Sequence, residues 1–228
     1  MEVILDNGFK KKNVDLKTGN IISIQSNDIK NILKNLKNDY QFNYVCNKYL
    51  FFVGSTVIDE LEKYVGEFSY LFLEELLHIL DIDSSFLERK VNTLSYTEKL
   101  YLNLIRNLID ENKKVIFNNI FSVFDNYNQR KLINLLKYLK EKDYILIISS
   151  KDVNFLYKLS DYSIVWSKKC FEFDNTDDIY TNVELLLKNK FMVPVLPLIT
   201  YKAKTEKDVK LFYSKDVRDI IKDIYKHV

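Results

Sequence analysis

The residues with the most chemical content sit at the ends of apolar segments. Ile24-Gln25-Ser26-Asn27-Asp28 passes almost directly from a strand-like run into a helix-like one that opens with Ile29 and Lys30. A loop that cradles phosphates needs the pattern G-x-x-x-x-G-K-[ST]. Its glycines let backbone N–H groups wrap the anion, and its lysine neutralises the charge. No glycine lies between Gly19 and Gly54. The helix-like run that follows opens with Ile29 and Lys30, so no lysine followed by a hydroxyl residue stands at its start. A helix N-terminus attracts anions weakly, and Asp28 opposes even that. Asn118-Asn119 closes the apolar run Lys114–Phe117. An amide has no charge to offer a hard cation, and it cannot act as a base, a role worth about 10²–10⁴-fold in rate. Leu94-Ser95-Tyr96-Thr97-Glu98 contains a capping box that accounts for Ser95 and Glu98 without any ligand. Lys151 could meet a phosphate as a point charge; the plainer reading is a solvated loop lysine.

The elements that would position these residues follow from periodicity. Glu2–Leu5 and Ile21–Gln25 read as strands, with a Lys17-Thr18-Gly19-Asn20 turn before the second. Asp28–Lys37 has apolar residues at Ile29, Ile32, Leu33 and Leu36, which is helical spacing, with Asn27 or Asp28 as its cap. Thr56–Asn112 is strongly helical. The pattern then switches to strand Lys114–Phe117, helix Asn128–Glu141, strand Tyr144–Ser149, helix Val153–Leu159 and strand Ser163–Trp166. That alternation predicts a parallel α/β sheet. Cys170–Phe173 reads as a hairpin partner of the preceding strand, and the charged tail after Pro197 as helical from Lys215.

In chain order these pieces resemble an ATP-binding-cassette (ABC) ATPase domain, most closely from Val91 to Val165. Leu94–Glu98 occupies the place of the family's signature L-S-G-G-Q. Val115-Ile116-Phe117-Asn118-Asn119-Ile120-Phe121-Ser122-Val123-Phe124-Asp125 falls on the Walker B and D-loop pattern L-I-L-D-E-P-T-S-G-L-D. Ser150-Lys151-Asp152 stands where the family has Thr-His-Asp, and Thr56-Val57-Ile58-Asp59-Glu60-Leu61 is similar to T-V-x-E-E-[IVL] of energy-coupling-factor importer ATPases. The resemblance implies a P-loop-NTPase-like α/β core with a parallel sheet, a helical subdomain over approximately 56–112, and one domain spanning 1–228. It also implies site equivalences. Ser26, Asn27, Asp28, Ile29 and Lys30 take the nucleotide-binding positions, Asn118, Asn119 and Lys151 the catalytic ones, and Ser122, Val123, Phe124 and Asp125 the D-loop. The chain departs from the family at nearly all of them. The two acids that would hold magnesium and polarise water are asparagines. The switch histidine is Lys151, since neither His78 nor His227 lies at that position. The signature glycines are Tyr96 and Thr97, which would obstruct a partner's phosphate. The Q-loop glutamine has no clear counterpart near Cys46 or Asn47, and Phe9 lies too close to the next strand to be the adenine-stacking aromatic.

Composition bounds the rest. The chain has 228 residues, enough to bury a core. Its formal net charge of +2 is too small to imply nucleic acid as a partner. Four glycines, two histidines and two cysteines exclude a zinc set and a G-x-S-x-G nucleophile. Cys46 and Cys170 read as buried free thiols in a reducing compartment. Met1–Gly8 carries two acids and no long apolar run, so no signal peptide is expected. The longest apolar stretches are strand-length, so no direct membrane insertion is expected. The expectation is a pseudoenzyme: a degenerate ABC-type ATPase domain acting as a non-catalytic structural or regulatory subunit, with no catalytic residue, metal or cofactor. It would be cytoplasmic, peripheral on the inner face of the cell membrane through a partner. That partner is an ABC ATPase homologue, a second copy in a dimer, or a membrane coupling subunit. The first alternative is a divergent but working importer ATPase that binds Mg-ATP. The second is a scaffold unrelated to transport.

Overall fold

A computed structural model of the chain describes residues 1–48, 50–110 and 112–226. Strands β1 (Glu2–Asp6) and β2 (Lys11–Asp15) pair as an antiparallel hairpin, a small sheet of their own. β3 (Asn20–Ser26) leads into α1 (Ile29–Asp39), and β4 (Asn43–Cys46) follows. Helices α2 (Val57–Val65), α3 (Tyr70–Ile79) and α4 (Tyr96–Arg106) come next. The chain then alternates: β5 (Lys114–Asn118), α5 (Asn126–Glu141), β6 (Ile145–Ser149), α6 (Val153–Leu159), β7 (Tyr162–Trp166) and β8 (Phe171–Asn175). Helices α7 (Thr176–Thr181), α8 (Val183–Lys188), α9 (Val195–Lys207) and α10 (Val217–Ile224) complete it.

The main sheet has the order β4-β5-β6-β3-β7-β8, parallel throughout except for the antiparallel edge strand β8. Strands buried on both faces read as continuous apolar runs, and β6, Ile-Leu-Ile-Ile-Ser, is buried at all five positions. Alternate residues serve two cores. Ile22, Ile24, Ile116, Ile147 and Ile164 face α1 and the β1–β2 hairpin. Ile21, Val115, Phe117, Leu146, Ile148 and Val165 face the other way, into a core shared with α2 to α6. The expected architecture is therefore present, with Ile21–Gln25, Val115–Phe117 and Ile145–Ser149 in one sheet.

The structure corrects the sequence reading in several places. β2 and β4 are strands that the sequence reading passed over: β2 carries one buried residue, Val14, and β4 is four residues long. The tail is helical well before Lys215. Helix α9 starts at Val195 and accommodates Pro197 in its first turn, where the missing N–H has no intrahelical acceptor to lose. Helix α5 starts at Asn126 rather than Asn128, because Asp125 caps it. Cys46 and Cys170 are only partly buried, since Cys46 ends a short strand and Cys170 sits in the β7–β8 turn.

Candidate functional site

In an open parallel sheet, ligands bind outside the carboxyl ends of the strands. Here the ends of β5, β6 and β3 present Asn118, Ser149 and Ser26, and the β5–β6 register sets Asn118 opposite Ser149. The topology thus brings together the strand ends that the sequence pattern singled out.

The passage from β3 to α1 contains only Asn27 and Asp28. The Ser26 hydroxyl accepts from the Asp28 N–H at 3.1 Å, closing a local turn. Asp28 occupies the N-cap position with φ −105° and makes no side-chain cap bond, so its carboxylate lies at the positive end of the helix without ordering it. Ile29 packs against the core between the sheet and the hairpin, and Lys30 is exposed. Gln25, the buried residue before the turn, accepts from the Met192 N–H and donates Nε2 to the Met192 carbonyl at 3.2 Å. The Val195 N–H donates to Asn154 Oδ1 at 2.8 Å. These bonds stitch the segment between α8 and α9 to the end of β3 and the start of α6.

The asparagine pair is enclosed by polar neighbours. Asn118 Oδ1 accepts from Ser149 Oγ at 2.7 Å and from Asn119 Nδ2 at 3.1 Å, while Asn118 Nδ2 donates to the Tyr44 hydroxyl. Burial pushes the Tyr44 phenol upward, so it stays a neutral hydroxyl at physiological pH. Asn119 adopts φ 52°, in the left-handed region that asparagine tolerates better than most side chains. Its N–H donates to the Ser149 carbonyl at 2.9 Å, and its Oδ1 is buried with no hydrogen-bond partner. Ser122 Oγ donates to the Asn119 carbonyl at 3.0 Å, tying the pair to the turn Phe121–Val123. In that turn Val123 is half-buried, Phe124 is buried, and Asp125 Oδ1 accepts from the Asn128 N–H at 2.8 Å to cap α5. Lys151 is exposed beside Asp152, which caps α6.

Leu94–Glu98 runs into the start of α4. Leu94 is buried. Ser95 and Glu98 form the expected capping box, Ser95 Oγ accepting from the Glu98 N–H and Glu98 Oε2 from the Ser95 N–H at 2.8 Å. Glu98 also pairs with both terminal nitrogens of Arg89, which holds its carboxyl below the ordinary range. Exposed Tyr96 donates its hydroxyl to the Asn47 carbonyl at 3.0 Å, and Thr97 is half-buried behind it. Tyr44, Ser149, Gln25 and Arg89 were not anticipated. The matched strand ends could have indicated Ser149, whereas Tyr44 lies on the strand that the sequence pattern missed. His227 lies outside the described residues.

Among the described residues no group of three His, Cys, Asp or Glu side chains could hold a metal. No described helix is long and apolar enough to cross a membrane. No protein-family model and no curated protein sequence matches the chain. Solved structures do. An ATP-binding subunit of an ABC transporter matches with TM-score 0.68 and 13% identity, over 81% of this chain and 92% of that one. CbiO1 from Clostridium perfringens, part of the ABC transporter complex CbiONQ, matches with TM-score 0.64 and 13% identity, over 88% and 98%. An ATP-binding cassette in a dimeric post-hydrolysis state with ADP and phosphate matches with TM-score 0.57 and 17% identity, over 73% and 90%. At these identities the likeness is one of fold: the chain has the α/β fold of ABC transporter ATP-binding domains.

Proposed function

We propose that the chain is a non-catalytic member of the ABC ATPase fold, a single domain over residues 1–228 that works as a structural or regulatory subunit. The observation that carries this reading is the asparagine pair. At the two positions where the fold's enzymes need carboxylates, Asn118 spends its carbonyl on Ser149 and Asn119 and its amide on Tyr44. Neither residue has charge for magnesium or basicity for water. The phosphate-loop positions agree. Two residues, without glycine or lysine, connect β3 to α1, and Asp28 repels an anion at the helix end. The residues present do not fit magnesium–ATP.

A partner-facing role is supported by the segment that follows β4. Glu60, 1% exposed, accepts from the Val53 and Gly54 N–H groups at 2.7 Å each and from Arg106 at 2.8 Å. Arg106 lies between the rings of Phe52 and Tyr64, 4.6 and 4.7 Å from their centroids. This buried pair pins the backbone of the segment while Phe51 and Val53 point outward, 75% and 61% exposed. An ordered apolar ridge of this kind suits docking to an ABC ATPase homologue, a membrane coupling subunit or a second copy. Among the similar structures, one is part of a transporter complex and another is a dimer, which fits that class of partner.

The test is phosphate release from magnesium–ATP by the wild type, alone and with whatever ATPase or membrane complex co-purifies. The expected result is no turnover that depends on Asn118, Asn119 or Ser95. Hydrolysis abolished by Asn118→Ala or Ser95→Arg would overturn the reading. So would a dissociation constant on the order of micromolar, about −8 kcal/mol, that Asn118→Ala destroys.

A further inference from the structure

Away from the strand ends 118 and 149, a groove of about 830 Å³ opens around the β7–β8 turn. It lies between the β1–β2 hairpin, that turn and α8, and none of residues 26 to 30 lines it. Five of its lining residues are lysines: Lys10 and Lys12 from the hairpin, Lys168 and Lys169 from the turn, and Lys188 from α8. Only Glu172 and Glu184 oppose them in the lining. Among the described residues, none of the five ammonium groups pairs with a carboxylate within 4.0 Å, although the chain has 32 acidic residues.

Three of the five are nevertheless held in place without being neutralised. Lys10 Nζ donates to the Lys168 carbonyl at 3.1 Å, joining the two hairpin tips. Lys12 Nζ lies 5.4 Å from the centroid of the Phe171 ring, and Lys168 Nζ lies 4.8 Å from that of Phe9. Phe171 is in turn fixed edge-on to buried Trp166 at 5.1 Å. Contacts with carbonyl oxygens and aromatic faces orient an ammonium group and leave its charge intact. Unpaired cations brought together from three separate elements raise the local positive potential, and a concave wall focuses it. The lysines carry an excess of positive charge over the two glutamates that a single carboxylate does not match. A groove of this volume lies within the range of small-molecule sites, about 300–1,000 Å³.

We propose that this groove binds a small soluble anion carrying two or more phosphate groups, gripped by Lys10, Lys12, Lys168, Lys169 and Lys188 against the Phe171 wall. The ligand chemistry is phosphate, which lysine recognises as a point charge. A phosphorylated lipid headgroup shares that chemistry, so the test separates the two sources.

The experiment is calorimetric titration of the full chain with inorganic tripolyphosphate, at low salt and at roughly 0.5 M, where exposed charges are strongly screened. Wild type is expected to give one saturable site that weakens with salt. The exposed pair Lys12→Gln/Lys188→Gln should weaken it at least about tenfold, with its melting temperature unchanged as the check on folding. Lys204→Gln/Lys207→Gln, which removes the same charge from α9, and Lys30→Gln, at the start of α1, should leave it intact. Absence of saturable binding, equal weakening by the α9 control, or loss on Lys30→Gln would overturn the assignment. Co-sedimentation with vesicles of phosphatidylcholine and phosphatidylglycerol provides the other arm. Lysine-dependent vesicle binding without tripolyphosphate binding would also overturn it.

Discussion

Restoring the two carboxylates tests the site most directly, because structure sets both the expected failure and its cost. In Asn118→Asp/Asn119→Glu the first change is mild. Tyr44 keeps its proton at neutral pH, because burial raises its pKa. It can therefore turn from accepting an amide hydrogen to donating to a carboxylate, and Ser149 Oγ, 2.7 Å away, continues to donate. The second change is costly. A glutamate at φ 52° loses the tolerance asparagine has there, about 1 kcal/mol. The bond from Asn119 Nδ2 to Asn118 Oδ1 is lost, about another 1 kcal/mol. Adjacent half-buried carboxylates repel by on the order of 1 kcal/mol more. A total of about 3 kcal/mol lowers the melting temperature by roughly 6–12 °C in a chain of this size. Catalytic groups that act as a unit are non-additive, and the two-residue passage Asn27-Asp28 between β3 and α1 brings no glycine or lysine to the pair. The assay combines thermal unfolding with phosphate release, alone and with a co-purifying ATPase. The expected outcome is a less stable protein with no new turnover. Hydrolysis gained by the double variant would refute the argument. So would a melting temperature equal to wild type, which would show that the amide network contributes nothing.

The backbone at Asn119 is separately testable: Asn119→Gly should be more stable than Asn119→Ala by about 1 kcal/mol, because only glycine takes φ 52° freely, and equal denaturation midpoints would contradict that strain. Arg106→Met leaves the Glu60 carboxylate buried without its cation, and urea unfolding should show a loss of about 3–5 kcal/mol; a loss under about 1 kcal/mol would refute the pinning role. Gly54→Ala would bring a Cβ within 2.4 Å of the Glu60 backbone, so it should cost about 1–3 kcal/mol in the same assay, and an unaffected midpoint would mean that the segment is not held against α2. Lys63 and Ser55 hold the Asp59 carboxyl down to about 2. A depressed carboxylate stabilises the fold above its unfolded pKa, and that contribution is lost as pH falls from about 4 through 2. Asp59→Asn should therefore flatten the stability profile in that window, and an identical profile would refute the link.

The sheet was legible because its strands are short apolar runs between helical periods. Each of Ile21–Gln25, Val115–Phe117 and Ile145–Ser149 carries enough branched apolar side chains to fill two opposed cores. β2 and β4 were not legible for the converse reason. Lys11–Asp15 has Val14 as its single buried residue, and Asn43–Cys46 has Val45, so local pattern could not separate them from loop. That omission carried into the site. With β4 unseen, Tyr44 had no position beside Asn118, and the asparagines read only as lost acids. The structure gives them a positive content as members of a hydrogen-bonded cluster. The capping box at Ser95 and Glu98 was legible from spacing alone, whereas Arg89, which reaches Glu98 from an irregular segment, has no periodic signal.

The polar groups at the strand ends are engaged within the protein. A loop emptied by a single substitution would leave its backbone poised and its neighbours unsatisfied. Here the neighbours are satisfied: Ser26 accepts from Asp28, Gln25 holds Met192, and Asn118 binds three partners. The exception is Asn119 Oδ1, buried and unpartnered beside a left-handed backbone. Introducing a carboxylate there therefore needs breaking of bonds as well as added charge, and a single substitution to Asp or Glu should stabilise nothing. On the β7–β8 side, three groove lysines are oriented by carbonyl and aromatic contacts and, among the described residues, have no carboxylate within ion-pair distance. The groove proposed to bind anions shares no lining residue with the strand-end cluster. Variants at residues 118 and 119 should not alter tripolyphosphate binding, and variants at residues 12 and 188 should not alter melting temperature.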